Sequence, residues 1–304
     1  MVRGRRDVEV HQRSPRTSEG EGAADKRYVD LHLHSTYSDG TDTPTRVVER
    51  AAECGMAALA LTDHDTVRGV PEAQAAAMRL GIDFLSGVEV SSYFQGFEVH
   101  AIGLGVDIEN QALVETLDRL REGRATRAHR IVEKLQKHRI PITLEKVAER
   151  ATGDASIGRI HIARELHAMG QCKSVQGAFD KFIGEGRRAY EANPRIPLDH
   201  ALELIHNAGG LAFLAHPGIG AVRRRAARVL DLPFDGIEAY HSKHSPGQTD
   251  EYAQVAEARG LLVGGGSDCH GEVGRKPDMG KVRLPYRHFE AICLKLAAER
   301  SQSQ

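Results

Sequence analysis

Several short apolar runs in this chain end on a histidine or a carboxylate, and helical patterns separate them. The first is the clearest: Asp30-Leu31-His32-Leu33-His34 leads into Ser35-Thr36-Tyr37-Ser38-Asp39-Gly40. Side chains alternate along a strand, so His32 and His34 share one face while Leu31 and Leu33 turn to the other. Asp39 follows in a turn rich in Ser, Asp and Gly. His64 ends the run at 57–61 within Thr62-Asp63-His64-Asp65, and Glu89 sits near the end of 84–90. His100 lies within 97–102, His216 closes 211–215, and Asp268 and His270 follow 261–267, again one residue apart. One such placement arises easily by chance. Six independent ones point to a multinuclear metal site built from strand ends.

The intervening segments say how those strands are joined. Residues 44–54 read as a helix with Thr43 as N-cap and Gly55 after it, and 70–80 as another with Pro71 early and Gly81 as terminator. Strand–helix repetition predicts βα units and a mainly parallel sheet. Between Glu89 and His100 there is room only for a short link at 91–96, too short for a parallel crossover, so these two strands form an antiparallel hairpin. That hairpin brings Glu89 and His100 together. Alternation returns from Ile196, with helices at 198–208, 222–229 and 250–259, strands at 211–215, 236–240 and 261–265, and a final helix at 288–299. The pattern contains seven strands, and a barrel gathers ligands from many strand ends round one mouth. The predicted fold is therefore α/β, a distorted seven-stranded (β/α)7 TIM-like barrel. An open doubly wound sheet, whose site uses a crevice between few strands, is the alternative.

Two regions depart from this alternation. Residues 1–27 are charged, aperiodic and contain Gly, Ser and Pro, which predicts a disordered tail. Residues 109–189 carry apolar positions at helical spacing (Leu113, Leu117, Leu120, Ile131, Leu135) and no convincing strand. They read as a helical cap inserted over the mouth of a barrel formed by 28–108 and 190–304. Their dense cations, including Arg119, Arg121, Arg124, Arg127, Arg130 and Lys134, read mostly as a solvated helix face.

Composition narrows the function classes. The formal net charge of the 304 residues is −1, so the whole molecule carries no strong pull towards nucleic acid or membrane. No apolar run approaches the length needed to span a bilayer. Four cysteines without CxxC spacing suggest reduced thiols and a cytoplasmic protein, and Cys269, between two candidate ligands, is turned away from them by strand alternation. With no Trp and few aromatics, the chain lacks the makings of a stacking platform for single strands. Neither a membrane nor an obligate protein partner is indicated.

Taken in order, His32-Leu33-His34, Asp39-Gly40, Thr62-Asp63-His64-Asp65, Gly87-Val88-Glu89, His100, Ala215-His216-Pro217 and Ser267-Asp268-Cys269-His270-Gly271 resemble the PHP (polymerase and histidinol phosphatase) family of metal-dependent phosphoesterases. The resemblance covers nearly everything beyond the tail. Three further segments, Gly158-Arg159-Ile160-His161-Ile162-Ala163-Arg164, Ala178-Phe179-Asp180-Lys181-Phe182 and Lys243-His244-Ser245-Pro246, are similar to the stand-alone bacterial group that hydrolyses nucleoside 3′,5′-bisphosphates and the 5′ ends of short RNAs. The resemblance implies three divalent ions. His32, His34, Glu89 and Asp268 would hold one; Glu89 would bridge to a second on His100 and His216; Asp39, His64 and His270 would hold a third.

A mixture of imidazole and carboxylate without thiolate suits Mn²⁺, with Fe²⁺ or Zn²⁺ as alternatives, better than Ca²⁺. Closely spaced cations lower the pKa of a bridging water and offset charge on phosphoryl oxygens, so hydroxide is the expected nucleophile and no Ser or Cys is needed. Arg159 and His161, in the first turn of a helix, are candidates for binding a substrate phosphate. His244 and His241, just after the strand at 236–240, are candidates for protonating the leaving oxygen. The expected substrate is a small nucleotide, and also short 5′-phosphorylated RNA. The rivals are a histidinol-phosphate phosphatase, which the long basic insertion disfavours, and an amidohydrolase, which would want a strand lysine where Glu89 stands. A non-catalytic PHP module would have lost ligands, and none is lost here.

Overall fold

Local sequence signals set the first half of the barrel. The computed structural model describes residues 27–150, 157–192, 195–271 and 278–302, so the tail expected at 1–27 lies, except for Arg27, outside the described residues. Strand β1 (Tyr28–Asp30) leads to α1 (Pro44–Glu53), where the Thr43 hydroxyl accepts from the Arg46 N–H at 3.2 Å. Strand β2 (Met56–Leu61) leads to α2 (Val70–Leu80), which Gly81 ends in the left-handed region at φ 69°. Strands β3 (Asp83–Phe94) and β4 (Phe97–Leu104) form the expected antiparallel hairpin. Its turn is only Gln95-Gly96, both at positive φ (47° and 85°), so β3 runs further than the short link suggested.

The helical segment follows as α3 (Gln111–Lys137), α4 (Leu144–Ala148), α5 (Arg159–Ala168), α6 (Val175–Ala178) and a π-helical turn, Phe179–Ile183. The remainder comprises β5 (Ile196–Pro197), α7 (Leu198–Asn207), β6 (Leu211–Leu214), α8 (Ala226–Val229), β7 (Gly236–His241), α9 (Pro246–Arg259), β8 (Leu262–Gly266), β9 (Leu284–Pro285) and α10 (Tyr286–Gln302). The helix expected at 222–229 is broken: a 3₁₀ turn at Val222–Arg224 stops at Arg225 (φ −131°), whose guanidinium lies over the Phe97 ring, and only α8 is α-helical.

One sheet runs β8-β7-β6-β4-β3-β2-β1-β9, with β5 attached to β3. The β1/β2, β2/β3, β6/β7 and β7/β8 pairs are parallel, and β4 is antiparallel to both of its neighbours. The sheet nearly closes on itself, because the Leu31 N–H donates to Gly265 O (3.1 Å) and the Asp268 N–H to His32 O (2.9 Å). This near closure excludes the open doubly wound sheet. Among the described residues the sheet has nine strands and not the expected seven: the first expected run is regular only to Asp30, and β5 and β9, two residues each, are too short to register as apolar runs. Gly266 makes the seam possible, since a Cβ there would lie 2.4 Å from the His32 backbone nitrogen.

The barrel interior has two layers. Ala58 and Ala60 of β2, Leu85 of β3, Ile102 and Leu104 of β4 and Phe213 of β6 cluster with Phe289, Ile292 and Leu296 of α10, which plug one end. Period-two alternation continues the same faces to Glu89 on β3 and His100 on β4, so the polar layer sits directly above the apolar one. Outside, Leu33, Leu59, Leu61 and Cys269 pack with α1 and α2, so the Cys269 side chain faces away from the ligands, as alternation predicts. Helix α3 spans two cores: Leu113, Leu117 and Leu120 join the cluster around β3, β4 and α7, whereas Ala128, Ile131, Val132 and Leu135 join a separate cluster with Ile162, Leu166 and Phe182.

Candidate metal centre

The regular ladder of β1 stops at Asp30, but the chain stays extended and the alternation of His32 and His34 persists. Both are fully buried and approach one carboxylate oxygen, Glu89 Oε2, through Nε2 at 3.2 and 3.3 Å. His64 Nδ1 reaches the same oxygen at 3.0 Å. The other oxygen, Glu89 Oε1, lies 2.7 Å from His100 Nδ1 and 3.1 Å from His216 Nε2. Five imidazoles thus surround one buried carboxylate. Asp268 Oδ1 lies 3.2 Å from His34 Nε2, and Asp39 Oδ1 lies 3.2 Å from His270 Nε2. All nine expected ligands converge at one end of the barrel.

Backbone conformation aims several of these groups. His216 (φ 29°) and Asp268 (φ 54°), and Asp65 (φ 53°) beside His64, sit in the left-handed region that residues other than glycine seldom adopt. Such strain costs of order 1–3 kcal/mol per residue and persists where the surroundings enforce it. Asp39 is aimed by a tight turn in which the Ser38 and Gly40 N–H groups both donate to Ser35 O. A Cβ on Gly40 would lie 2.7 Å from His34 O.

The electrostatics fit a polycationic occupant. Burial alone would raise the Glu89 carboxyl, but His64, His32 and His100 outweigh it and hold the group well below the usual carboxylate range. Asp39 and Asp268 are likewise lowered, against burial, by surrounding histidines. Burial opposes the charge on His100, yet Glu89 and Glu98 push it up to about 10; Asp39 and Asp268 raise His270 to about 9 in the same way. His34, where burial and the neighbouring His270 act together, drops to about 3. Among the described residues, His32 Nε2, both nitrogens of His34, Asp39 Oδ1, His64 Nδ1, Glu89 Oε2 and His241 Nε2 are buried without a hydrogen-bond partner. Buried lone pairs that no donor satisfies, converging from imidazole and carboxylate, are what divalent ions need, so these residues fit the implied group. Among the described residues, four sets lie close enough to share an ion: His34, Asp39, His64 and His270; His32, His34 and Glu89; His64, Glu89 and His100; and His32, Glu238 and His241.

A pocket opens beside this cluster, lined by Ser38, Asp39, His64, Glu98 and His100 together with Arg124, Arg127, Gly158, Arg159, Ile160 and Phe179. Arg159 falls where expected: it faces the pocket, its guanidinium is 5.7 Å from the Phe179 ring centroid, and it has no ion-pair partner among the described residues. Burial lowers its pKa, as it does that of Arg127, which falls to about 9 with Arg159 and Arg124 adding like charge.

Three expected roles need correction. His161 does not point into the pocket beside Arg159; its Nδ1 accepts from the Gly158 N–H at 3.0 Å and caps α5. His244 has both ring nitrogens engaged, Nδ1 with Ala239 O (2.9 Å) and Nε2 with the Gly218 N–H (3.1 Å), which leaves it no proton to give. His241 is fully buried, with Nδ1 accepting from the Lys243 N–H and Nε2 3.6 Å from Asp268 Oδ2, so it sits beside Asp268 and does not line the pocket. The solvated-face reading fails for Arg124 and Arg127, which are inward-facing.

Glu238 was not anticipated. It is buried on β7, where one oxygen accepts from His32 Nδ1 (3.0 Å) and the other from the His216 N–H (2.7 Å). A carboxylate within an apolar strand was the available signal. Because it orients the His32 ring and anchors the backbone of His216, both expected ligands, Glu238→Gln should weaken metal binding about 10- to 100-fold without unfolding the chain. Metal retained after dialysis against a chelator checks this; unchanged retention would reduce Glu238 to a packing group.

A nearly closed α/β barrel that carries this cluster and an arginine-lined pocket at its mouth defines a metal-dependent hydrolase of phosphoester bonds. The PHP domain profile matches residues 30–225, and the chain belongs to the PHP family. It is 37% identical over 281 residues to the 3′,5′-nucleoside bisphosphate phosphatase of Chromobacterium violaceum, covering 88% of this chain and 99% of that one. It is 35% identical over 259 residues to the 5′-3′ exoribonuclease Rnm of Escherichia coli, covering 81% and 88%. A solved structure from Bifidobacterium adolescentis, assigned as a metal-dependent phosphoesterase, superposes with a TM-score of 0.79 at 29% identity, over 89% of this chain and 96% of that one. No helix among the described residues is long and apolar enough to cross a membrane.

Proposed function

We propose that this chain is a phosphomonoesterase of nucleoside 3′,5′-bisphosphates that removes the 3′-phosphate, with short 5′-phosphorylated RNA as a second substrate. The observation that carries this reading is the pocket itself, which is lined both by metal-type donors and by guanidinium groups. A ligand that satisfies both kinds of group carries two anionic groups. The names of the relatives agree in acting on nucleotides or RNA.

In this reading residues 109–189 form the cap, and the ions, three in number and Mn²⁺ by donor type, are held by His32, His34, Glu89 and Asp268; by Glu89, His100 and His216; and by Asp39, His64 and His270. When bound, such ions acidify water and offset charge developing on phosphoryl oxygens. The chain's own groups do the rest. Arg159 forks onto the phosphate that is not cleaved, Arg127 adds charge beside it, and Ile160 and Phe179 supply an apolar wall that keeps water from the far end. Glu98, 3.2 Å from His100 Nε2, holds that imidazole in place.

Release of inorganic phosphate from a 3′,5′-bisphosphonucleotide and from a 5′-phosphorylated RNA decamer, compared across a salt series with Mn²⁺, tests the proposal. Single strands lose about 0.7 log units of affinity per phosphate contact for each log unit of salt. A pocket with two guanidinium groups should give a shallow slope and prefer the mononucleotide. A slope of several units with tighter binding of the decamer would make this chiefly a nuclease.

A further inference from the structure

Arg124 and Arg164 both leave the helical segment to grip the loops that carry metal-type ligands. Arg124 sits on α3 between Leu120, packed on the barrel, and Ala128, packed in the helical cluster. Its Nε donates to Asp65 Oδ2 at 2.7 Å and its Nη2 to Ser91 Oγ at 2.6 Å. Asp65 is fully buried and follows His64 directly; its other oxygen accepts from the Ser91 N–H at 2.7 Å. Ser91 lies opposite His100 in the β3/β4 register, two residues beyond Glu89. The Asp65 N–H in turn donates to Glu89 O (2.9 Å). One guanidinium therefore ties α3 to the backbone that positions His64, Glu89 and His100. Arg164 makes the second tie, its Nη2 donating to Asp39 O at 3.2 Å.

We propose that Arg124 and Arg164 are positioning residues that make the helical segment part of the metal centre, holding Asp39 and His64 in place for the ion that they share with His34 and His270. Although it lines the pocket, Arg124 spends its fork on Asp65 and Ser91 and is a strut, whereas Arg159 is free to meet a ligand. Coupling of this kind is reciprocal: if docking of the segment tightens metal binding, metal binding tightens the docking by the same factor. The idea rests on the metal reading of the site, so its test reads metal directly.

Apo-protein is titrated with Mn²⁺ and the free ion followed by electron paramagnetic resonance, for the parent chain and for Arg124→Ala, Arg164→Ala, Arg124→Lys and Lys134→Ala. Lys134 bonds to Tyr190 O and Glu191, just past the end of the helical segment and not on a loop that carries an expected ligand, and so controls for general loosening. Arg124→Ala and Arg164→Ala should each weaken one class of Mn²⁺ site about 10- to 100-fold, the range expected for loss of an orienting contact, and leave the others unchanged. Arg124→Lys should lie between, because a point charge cannot fork. Should Arg124→Ala fail to fold, Ser91→Ala, which removes one acceptor, should move the same site in the same direction by less. In the parent chain Mn²⁺ should slow hydrogen exchange in α5, and in Arg164→Ala it should not. Parental affinity and stoichiometry in both alanine variants would overturn the proposal, as would an equal loss in Lys134→Ala. A parent chain that takes up no Mn²⁺ would overturn the metal reading and this proposal together.

Discussion

Glu89→Gln is expected to abolish turnover, by roughly three orders of magnitude or more, and to strip metal from the protein. Glu89 is the one carboxylate shared by His32, His34 and His64 through Oε2 and by His100 and His216 through Oε1. The substitution keeps the shape but removes the negative charge that balances cations on both sides, and it puts an N–H₂ where a lone pair is needed. The fold should survive, because Glu89 lies in the polar layer above the apolar one that α10 plugs. Metal analysis and phosphate release on the purified variant check this. Full metal occupancy with near-parental turnover would show that the convergence on Glu89 is only a charge network.

Arg159→Ala is expected to cost about 2 to 3 kcal/mol in kcat/KM, roughly 30- to 150-fold, with metal content unchanged. The guanidinium is partly buried and faces the pocket, where burial disfavours its charge and Glu98, shared with His100, offsets it only in part, so an anion there gains from it. Arg159→Lys should recover only part of the loss, since an ammonium cannot engage two phosphate oxygens in a fork. Kinetics with a 3′,5′-bisphosphonucleotide and with the corresponding 3′-monophosphate separate the possibilities. If Arg159 binds the second phosphate, the variant should lose its preference for the bisphosphate. Parental kinetics on both would return Arg159 to the status of a helix-start residue.

The local half of this structure was legible in the residues. Thr43 and Gly55 bracket α1 and Gly81 ends α2, because capping and left-handed termination are decided within a few residues of chain. The hairpin from Glu89 to His100 followed from connection length alone, and the shared face of His32 and His34 from period-two alternation, even though the ladder ends at Asp30. Those same rules placed all nine expected ligands at or near strand ends, and the structure brings these side chains together round Glu89 and Asp268.

What local chemistry could not decide is which partner a side chain meets across the molecule. The helical spacing of α3 predicts an amphipathic helix but not that its apolar stripe changes cores near Arg124, so an arginine that looks solvated is instead fixed to Asp65 and Ser91. His244 and His241 lie at the mouth by sequence, yet the His244 nitrogens are committed to Ala239 and Gly218, and His241 is buried with Nδ1 on the Lys243 N–H. Glu238 gained its meaning only when the sheet curved round to bring β7 against His32 and His216. Alone, then, the sequence determined the longer strands and helices, the donor types and their positions at strand ends, because those depend on periodicity and capping within a turn or two. Tertiary structure alone decided which of the charged groups face the pocket and which brace it, because a hydrogen bond's direction depends on where distant backbone arrives, and sequence spacing carries no record of that.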